Sequence, residues 1–132
     1  MKKSRLISER MVTDMTTAQL VKLAVKTLDD KKAKDVEVLN VTQLSTLADY
    51  FIIASGSSFT QVKALTDEVD AAFSKVGHEP KHIERDTSSN WILLDYGDII
   101  IHVFYSSARD FYNLTGIWGD APRYSAQQIL NQ

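Results

Sequence analysis

A chain of 132 residues, of which 44% are hydrophobic and 24% charged, is long enough to bury a core as one domain without disulfides or metals. Its net charge of −2 excludes nucleic-acid binding driven by bulk charge, and the lack of cysteine excludes disulfides and thiol catalysis. The sequence has no apolar stretch of about 20 residues and no signal-peptide pattern, so we expect a soluble cytoplasmic protein.

The first part of the chain predicts a helix followed by two strands. Residues 1–15 carry mixed charge with little periodicity and are expected to be a flexible N-terminal arm. Apolar residues then recur at helical spacing, from a cap at Thr16 or Thr17 to about Lys31. Residues 36–41 predict a strand, and the apolar run 49–54 predicts a central strand.

A turn and a second helix follow this central strand. Ser57 or Ser58 is expected to cap the helix, whose apolar positions recur from Phe59 to Val76. Gly77 is expected to end it in a left-handed conformation.

The next predicted strand, at residues 82–84, precedes two apolar runs that predict a β-hairpin. The runs are 91–94 and 99–104, and the turn between them is Asp95-Tyr96-Gly97-Asp98. Both faces of the second hairpin strand are mostly apolar, so we expect helices to cover both.

The end of the chain has weaker signals from residue 119 onward, and residues 123–132 are expected to form a weak C-terminal tail. The pattern as a whole predicts a single compact α/β or α+β domain over residues 16–122. Its mixed sheet should have four or five strands flanked by helices.

One candidate site is the Gly56-Ser57 turn between a strand and a helix. Backbone N–H groups at a helix N-terminus can bind an anion, and nucleotidyltransferases combine such a turn with two Mg²⁺-binding carboxylates spaced by one residue. Glu84 and Asp86 have that spacing. However, no third carboxylate is placed by the pattern, and a Gly-Ser turn serves equally well as a helix cap.

The three histidines are candidates for metal ligands. His78 and His82 are four residues apart but follow the helix-ending Gly77, so they do not share a helix face. His102 lies on a strand between Ile100 and Phe104, which favours a core histidine. No metal site is therefore expected.

Asp95 and Asp98 flank the predicted hairpin turn, where Asp side chains commonly bond nearby backbone N–H groups and Gly97 supplies a positive φ. No apolar pocket in the sequence supports an acid–base pair there. The two carboxylates are expected to serve the turn and also to accept hydrogen bonds from a basic partner.

Trp91 differs from the other aromatic residues, such as Phe111, because it opens a strand beside polar residues. It alternates with Leu93 and Asp95 on one strand face. An aromatic and an aliphatic side chain next to an acidic one form a plausible hot spot for binding another protein.

Three motifs in the same order give the chain a family resemblance: ADYFIIASGSS at 48–58, WILLDYGDIIIHVF at 91–104 and ARDFYNLTGIWGDAP at 108–122. The chain resembles the ribosomal silencing factor family, also called the Iojap or DUF143 family. The structural positions of its motifs here are Gly56, Ser57, His102, Arg109, Tyr112 and Trp118. The sequence departs from the family pattern at Asn113-Leu114-Thr115-Gly116, where relatives usually have an acidic residue after the leucine and no glycine.

The resemblance implies a nucleotidyltransferase-like fold without enzyme activity or cofactor. It also implies binding to the large ribosomal subunit at large-subunit ribosomal protein fourteen, which blocks association with the small subunit and represses translation in nutrient shortage or stationary phase. The binding residues it implies here are Trp91, Leu93, Asp95, Tyr96 and Asp98. Family members can form homodimers when free, and no sequence-specific nucleic-acid contact is expected.

Two other functions stay open on the sequence alone. One is a nucleotidyltransferase that uses Gly56 and Ser57 with Glu84 and Asp86. The other is a factor for assembly of the large subunit, which would bind the same particle without silencing it.

Overall fold

The computed structural model describes residues 15–86, 91–106, 119 and 121–132. The elements of these ranges, in chain order, are α1 (Thr17–Asp30), β1 (Lys34–Asn40), β2 (Tyr50–Gly56), α2 (Phe59–Lys75), β3 (His82–Asp86), β4 (Trp91–Asp95), β5 (Ile99–Tyr105), β6 (Arg123–Ser125) and α3 (Ala126–Leu130). None of the described helices is long and apolar enough to cross a membrane.

Local sequence signals set the limits of the two long helices. At the start of α1, the Thr16 hydroxyl accepts the Gln19 N–H, and the Gln19 side chain accepts the Thr16 N–H in return. Ser58 caps α2 by accepting the Gln61 N–H, and Gly77 follows the helix with φ 81°. The predicted helices and the predicted left-handed glycine are therefore confirmed.

The described strands form one six-stranded sheet in the order β3-β4-β5-β2-β1-β6. Only the pairing of β2 with β5 is parallel, and the other pairs are antiparallel. The central position of β2 and the β4–β5 hairpin are as predicted. The expected four or five strands were too few, since β6 adds an edge strand.

Residues 123–130 are the source of this difference, because they form β6 and α3 where a weak tail was expected. Tyr124 pairs with Val38 across the sheet edge, and the Ser125 hydroxyl caps α3 by accepting the Gln128 N–H. Ile129 is buried in the core. This segment thus contributes to the packed domain.

The two faces of the sheet have different coverings. On the first face, α1, α2 and α3 pack in one buried cluster with Ile52, Ile92 and Ile101. On the opposite face, here called the second face, a separate buried cluster consists of Leu39, Val41, Ala48, Phe51, Ile53, Phe104 and Ala121. The three helices with described bounds lie against the first face, and the expectation that a helix also covers the second face stays a prediction, because residues 107–118 lie outside the described residues.

Candidate partner-binding face

Trp91, Leu93 and Asp95 lie in a row along β4 on the second face. Alternate residues of a strand share a face, so the row is about 14 Å long. Each of the three is partly exposed, whereas the intervening Ile92 and Leu94 are buried in the first-face core. The alternation seen in the sequence therefore separates the outward-facing side chains from the core of the hairpin.

Strand β3 adds charge beside this row. Its pairing with β4 places His82 opposite Asp95, Glu84 opposite Leu93 and Asp86 opposite Trp91. Paired residues point to the same face, so β3 extends the row with acidic side chains. The position of these residues on the face was not predicted, although their alternation along the sequence is a signal for it.

On the other side of the row, side chains of β5 pack beside those of β4. His102 pairs with Leu93, and its ring lies 5.5 Å from the Phe51 ring and 6.2 Å from the Phe104 ring. Burial lowers the pKa of His102 from 6.5 to about 4, so the imidazole is neutral at physiological pH. His102 thus packs against two aromatic rings of the second face, while the residue itself is partly exposed.

Trp91 also packs beside β5, at the other end of the row. It pairs with Phe104 across β4 and β5, and the two ring centroids are 6.4 Å apart. Phe104 is buried while Trp91 is partly exposed. One side of the indole thus packs against β5, and the side chain as a whole is partly exposed.

Asp95 has the turn role predicted for it. Its Oδ1 accepts the Gly97 N–H at 2.8 Å, and the Tyr96 N–H donates to the Ile99 carbonyl at 2.9 Å. Gly97 has φ 90°, as expected for this turn. The carboxylate of Asp95 is therefore held at the end of the row.

Tyr96 and Asp98 differ from the other residues that the resemblance indicated for binding. The Tyr96 hydroxyl donates to the Asp70 carboxylate of α2, and its ring packs against Phe73, so Tyr96 lies on the first-face side. Burial and the negative charge of Asp70 raise the pKa of Tyr96, which keeps the donor protonated. Asp98 is exposed in the turn, and its carbonyl accepts the Asp49 and Tyr50 N–H groups.

The Gly56-Ser57 turn is occupied by groups of the chain itself. The side-chain oxygen of Gln61 accepts both the Ser57 N–H at 2.6 Å and the Ser57 hydroxyl at 2.8 Å. A Cβ atom on Gly56 would lie 3.1 Å from the backbone nitrogen of Val62, so glycine permits the close start of α2. These contacts favour the helix-capping interpretation over an anion site.

The two groups of residues that the nucleotidyltransferase hypothesis requires, the Gly56-Ser57 turn and the carboxylates of Glu84 and Asp86, also lie apart. The register runs from Asp86 through Trp91 and Phe104 to Ser55, which neighbours Gly56. Three strand spacings separate Asp86 from Ser55, or about 14 Å. In the part of the chain that the structure describes, no three His, Asp or Glu side chains are grouped to hold a metal ion.

Some residues of the third sequence motif fall outside the described residues. They are Arg109, Phe111, Tyr112, the segment 113–116 and Trp118. Their structural roles stay predictions.

Comparison with known proteins gives a family match over most of the chain. A family model described as "RsfS: Ribosomal silencing factor during starvation" matches residues 14–132. The match includes the whole of the row on β4 as well as β6 and α3.

Individual relatives agree with this match. The chain is 38% identical over 117 residues to "Ribosomal silencing factor RsfS" of Halalkalibacterium halodurans, which covers 89% of this chain and 100% of the relative. It is 36% identical over 118 residues to the protein of the same name from Bacillus subtilis, again covering 89% and 100%. A crystal structure of a protein from Chromobacterium violaceum superposes with a TM-score of 0.76 at 35% identity, covering 80% of this chain and 88% of that one.

Proposed function

We propose, since the chain belongs to the ribosomal silencing factor family, that it binds the large ribosomal subunit through the second face and thereby prevents the small subunit from joining. The chain is a ribosomal silencing factor and not an enzyme. In this proposal, repression of translation is the consequence of an occupied surface, and it requires no chemical step.

The observation that supports this proposal best is the row formed by Trp91, Leu93 and Asp95. It presents aromatic, aliphatic and acidic groups side by side on a strand whose other face is fixed in the core. A rigid strand keeps the entropy cost of binding low, and partly exposed Trp and Leu side chains are suited to become buried anchors.

Charge indicates the kind of partner. Glu84 on β3 and Asp95 on β4 contribute negative charge to this part of the face. Complementary potential speeds encounter with a basic protein and fixes its register more than it adds affinity. We propose large-subunit ribosomal protein fourteen as the partner, and Trp91, Leu93 and Asp95 as residues that contact it.

Two of the five residues that the resemblance implied for binding have other roles in this proposal. Tyr96 stabilises the hairpin from the first face, because its hydroxyl donates a hydrogen bond to Asp70 of α2. Asp98 is exposed at the hairpin turn and can contact the rim of the partner.

The experiment that tests the proposal is sedimentation of the purified protein through density gradients with large subunits, small subunits or intact ribosomes. We expect migration with large subunits only, and fewer intact ribosomes when small subunits are then added. Binding to large subunits without any effect on joining would contradict the silencing mechanism and favour an assembly role. Migration with none of the particles would contradict subunit binding altogether.

A further inference from the structure

The loop between β1 and β2 displays two leucines to solvent. The Leu44 side chain is 46% exposed and that of Leu47 is 83% exposed, and these are the exposed large hydrophobic residues of the described chain. A single exposed leucine is ordinary on a protein surface. Two of them, three residues apart on one short loop, form a local apolar surface.

Hydrogen bonds fix the loop in this conformation. The Val41 carbonyl accepts the N–H groups of Leu44 at 2.9 Å and Ser45 at 2.8 Å, and the Ser45 hydroxyl accepts the Leu47 N–H at 3.0 Å. At the two ends of the loop, Val41 and Ala48 are buried. The leucines are thus held outward by the backbone, which lowers the entropy cost of covering them with a partner.

The loop adjoins the row on β4 through the hairpin turn. Val41 and Ala48 belong to the buried cluster of the second face, so the loop lies on that side of the sheet. The Asp49 N–H donates to the Asp98 carbonyl at 2.8 Å, which joins the end of the loop to the turn that follows Asp95. Leu47 is two residues from Asp49, or at most about 7 Å along the chain.

We infer that Leu44 and Leu47 form a second contact area for the ribosomal protein bound at Trp91, Leu93 and Asp95. This inference rests on the proposed function and extends its surface across the hairpin turn. The partner region that covers the leucines should carry apolar side chains beside basic ones.

The charges around the loop favour this occupant over two others. Asp49 and Asp98, which lie at the junction of the loop and the turn, would repel the phosphates of RNA. They would also repel the same carboxylates of a second copy of this chain. A protein surface that carries apolar side chains beside basic ones can cover the leucines and pair with the carboxylates.

Because the chain contains no cysteine, a single introduced thiol reports the exposure of one position. We would compare the maleimide reaction rate of Leu47→Cys with that of Asp67→Cys. Asp67 is exposed on α2, the helix that packs against the first face, and so lies on the opposite side of the sheet from the proposed contact. With large subunits at about ten times the Kd, we expect the Leu47→Cys thiol to react about tenfold more slowly, since only the unbound fraction stays accessible. The Asp67→Cys thiol should react at its free rate.

A binding measurement separates this inference from the proposed function. The double variant Leu44→Ser/Leu47→Ser should raise the Kd for large subunits roughly tenfold or more, whereas Gln43→Ala in the same loop should not change it. Circular dichroism would check that the variants are folded.

Three outcomes would overturn the inference while wild type still binds. If Trp91→Ala does not bind but the double leucine variant binds normally, the loop is not a contact and the proposed function stands. Protection of the Leu47→Cys thiol that depends on protein concentration without subunits would identify a second copy as the occupant. Protection by protein-free ribosomal RNA would identify a nucleic-acid contact. Absence of wild-type binding would instead contradict the proposed function, and with it this inference.

Discussion

The hydroxyl group of Tyr96 donates a hydrogen bond to Asp70 across 3.1 Å, and this bond ties the turn of the β4–β5 hairpin to α2. The Tyr96 ring also lies 4.4 Å from the ring of Phe73, which is fully buried on the same helix. The row on β4 therefore ends at a turn that is braced from the opposite side of the sheet.

Replacement of Tyr96 by phenylalanine should lower stability while leaving subunit binding intact. The variant keeps the ring packing but removes the donor to a carboxylate, which costs about 1–2 kcal/mol. Urea unfolding would measure this loss, and sedimentation with large subunits would measure binding.

The control for this prediction is a double-mutant cycle with Asp70→Ala, which removes the acceptor. The two single losses should not add, because both changes remove the same bond. Additive losses would show that the hydrogen bond contributes nothing to stability, and weaker binding of Tyr96→Phe would show that the hydroxyl contacts the partner.

Replacement of Gly97 by alanine should also destabilise the hairpin. Gly97 has φ 90°, a conformation that costs a residue with a Cβ about 1–2 kcal/mol. The nearest atom to an added Cβ is the Lys81 Nζ at 2.9 Å, which is the movable end of a side chain. The strain should therefore come from the backbone.

Two comparisons test that cause by thermal or urea unfolding. Gly97→Asn should lose less stability than Gly97→Ala, since asparagine tolerates positive φ better. Adding Lys81→Ala to Gly97→Ala should not restore stability. Full recovery in that double variant would mean that crowding against Lys81, and not φ, is the cause.

The sequence predicted the fold where the pattern was long and periodic. Apolar spacing and capping residues located α1 and α2, and the alternation after Trp91 placed Leu93 and Asp95 on its face. The same alternation could not place Tyr96, because strand periodicity ends at the turn and the direction of its side chain depends on the contact with Asp70.

Other features could not be predicted from the sequence, because they depend on contacts between residues that are distant in it. Strand β6 has three residues and exists through pairing with β1, which no local pattern indicates. The start of α3 did carry a signal, the capping box formed by Ser125 and Gln128. The exposure of Leu44 and Leu47 could not be predicted either, since apolar residues in a loop can equally turn inward.

The pH dependence of stability should reveal the neutral state of His102. Its pKa is lowered to about 4 in the folded protein, so the unfolded chain binds a proton more readily than the folded one. Stability should therefore be highest above pH 6.5, fall as the pH decreases, and level off near pH 4 for this group. At about 1.4 kcal/mol for each pKa unit, the loss is at most roughly 3–4 kcal/mol.

Chemical denaturation at several pH values would measure this effect in wild type and in His102→Gln. The glutamine variant lacks the titrating group, so its stability should fall less steeply between pH 6.5 and 4. Equal slopes for the two proteins would contradict a neutral histidine in a desolvated position.

The sharpest prediction for the binding face compares two aromatic residues on opposite sides of the sheet. Both side chains are partly exposed, but Trp91 lies on the second face and Tyr124 packs against the first-face core. Trp91→Ala should raise the Kd for large subunits by roughly a hundredfold, as expected for a central anchor residue, since about 2–3 kcal/mol of binding energy is lost. Tyr124→Ala removes an aromatic ring on the other side and should lower stability without changing the Kd.

Sedimentation at graded subunit concentrations would measure both Kd values, with circular dichroism to show that each variant is folded. If Tyr124→Ala weakened binding and Trp91→Ala did not, the partner would bind the side of the sheet that carries the helices, and the proposed face would be wrong.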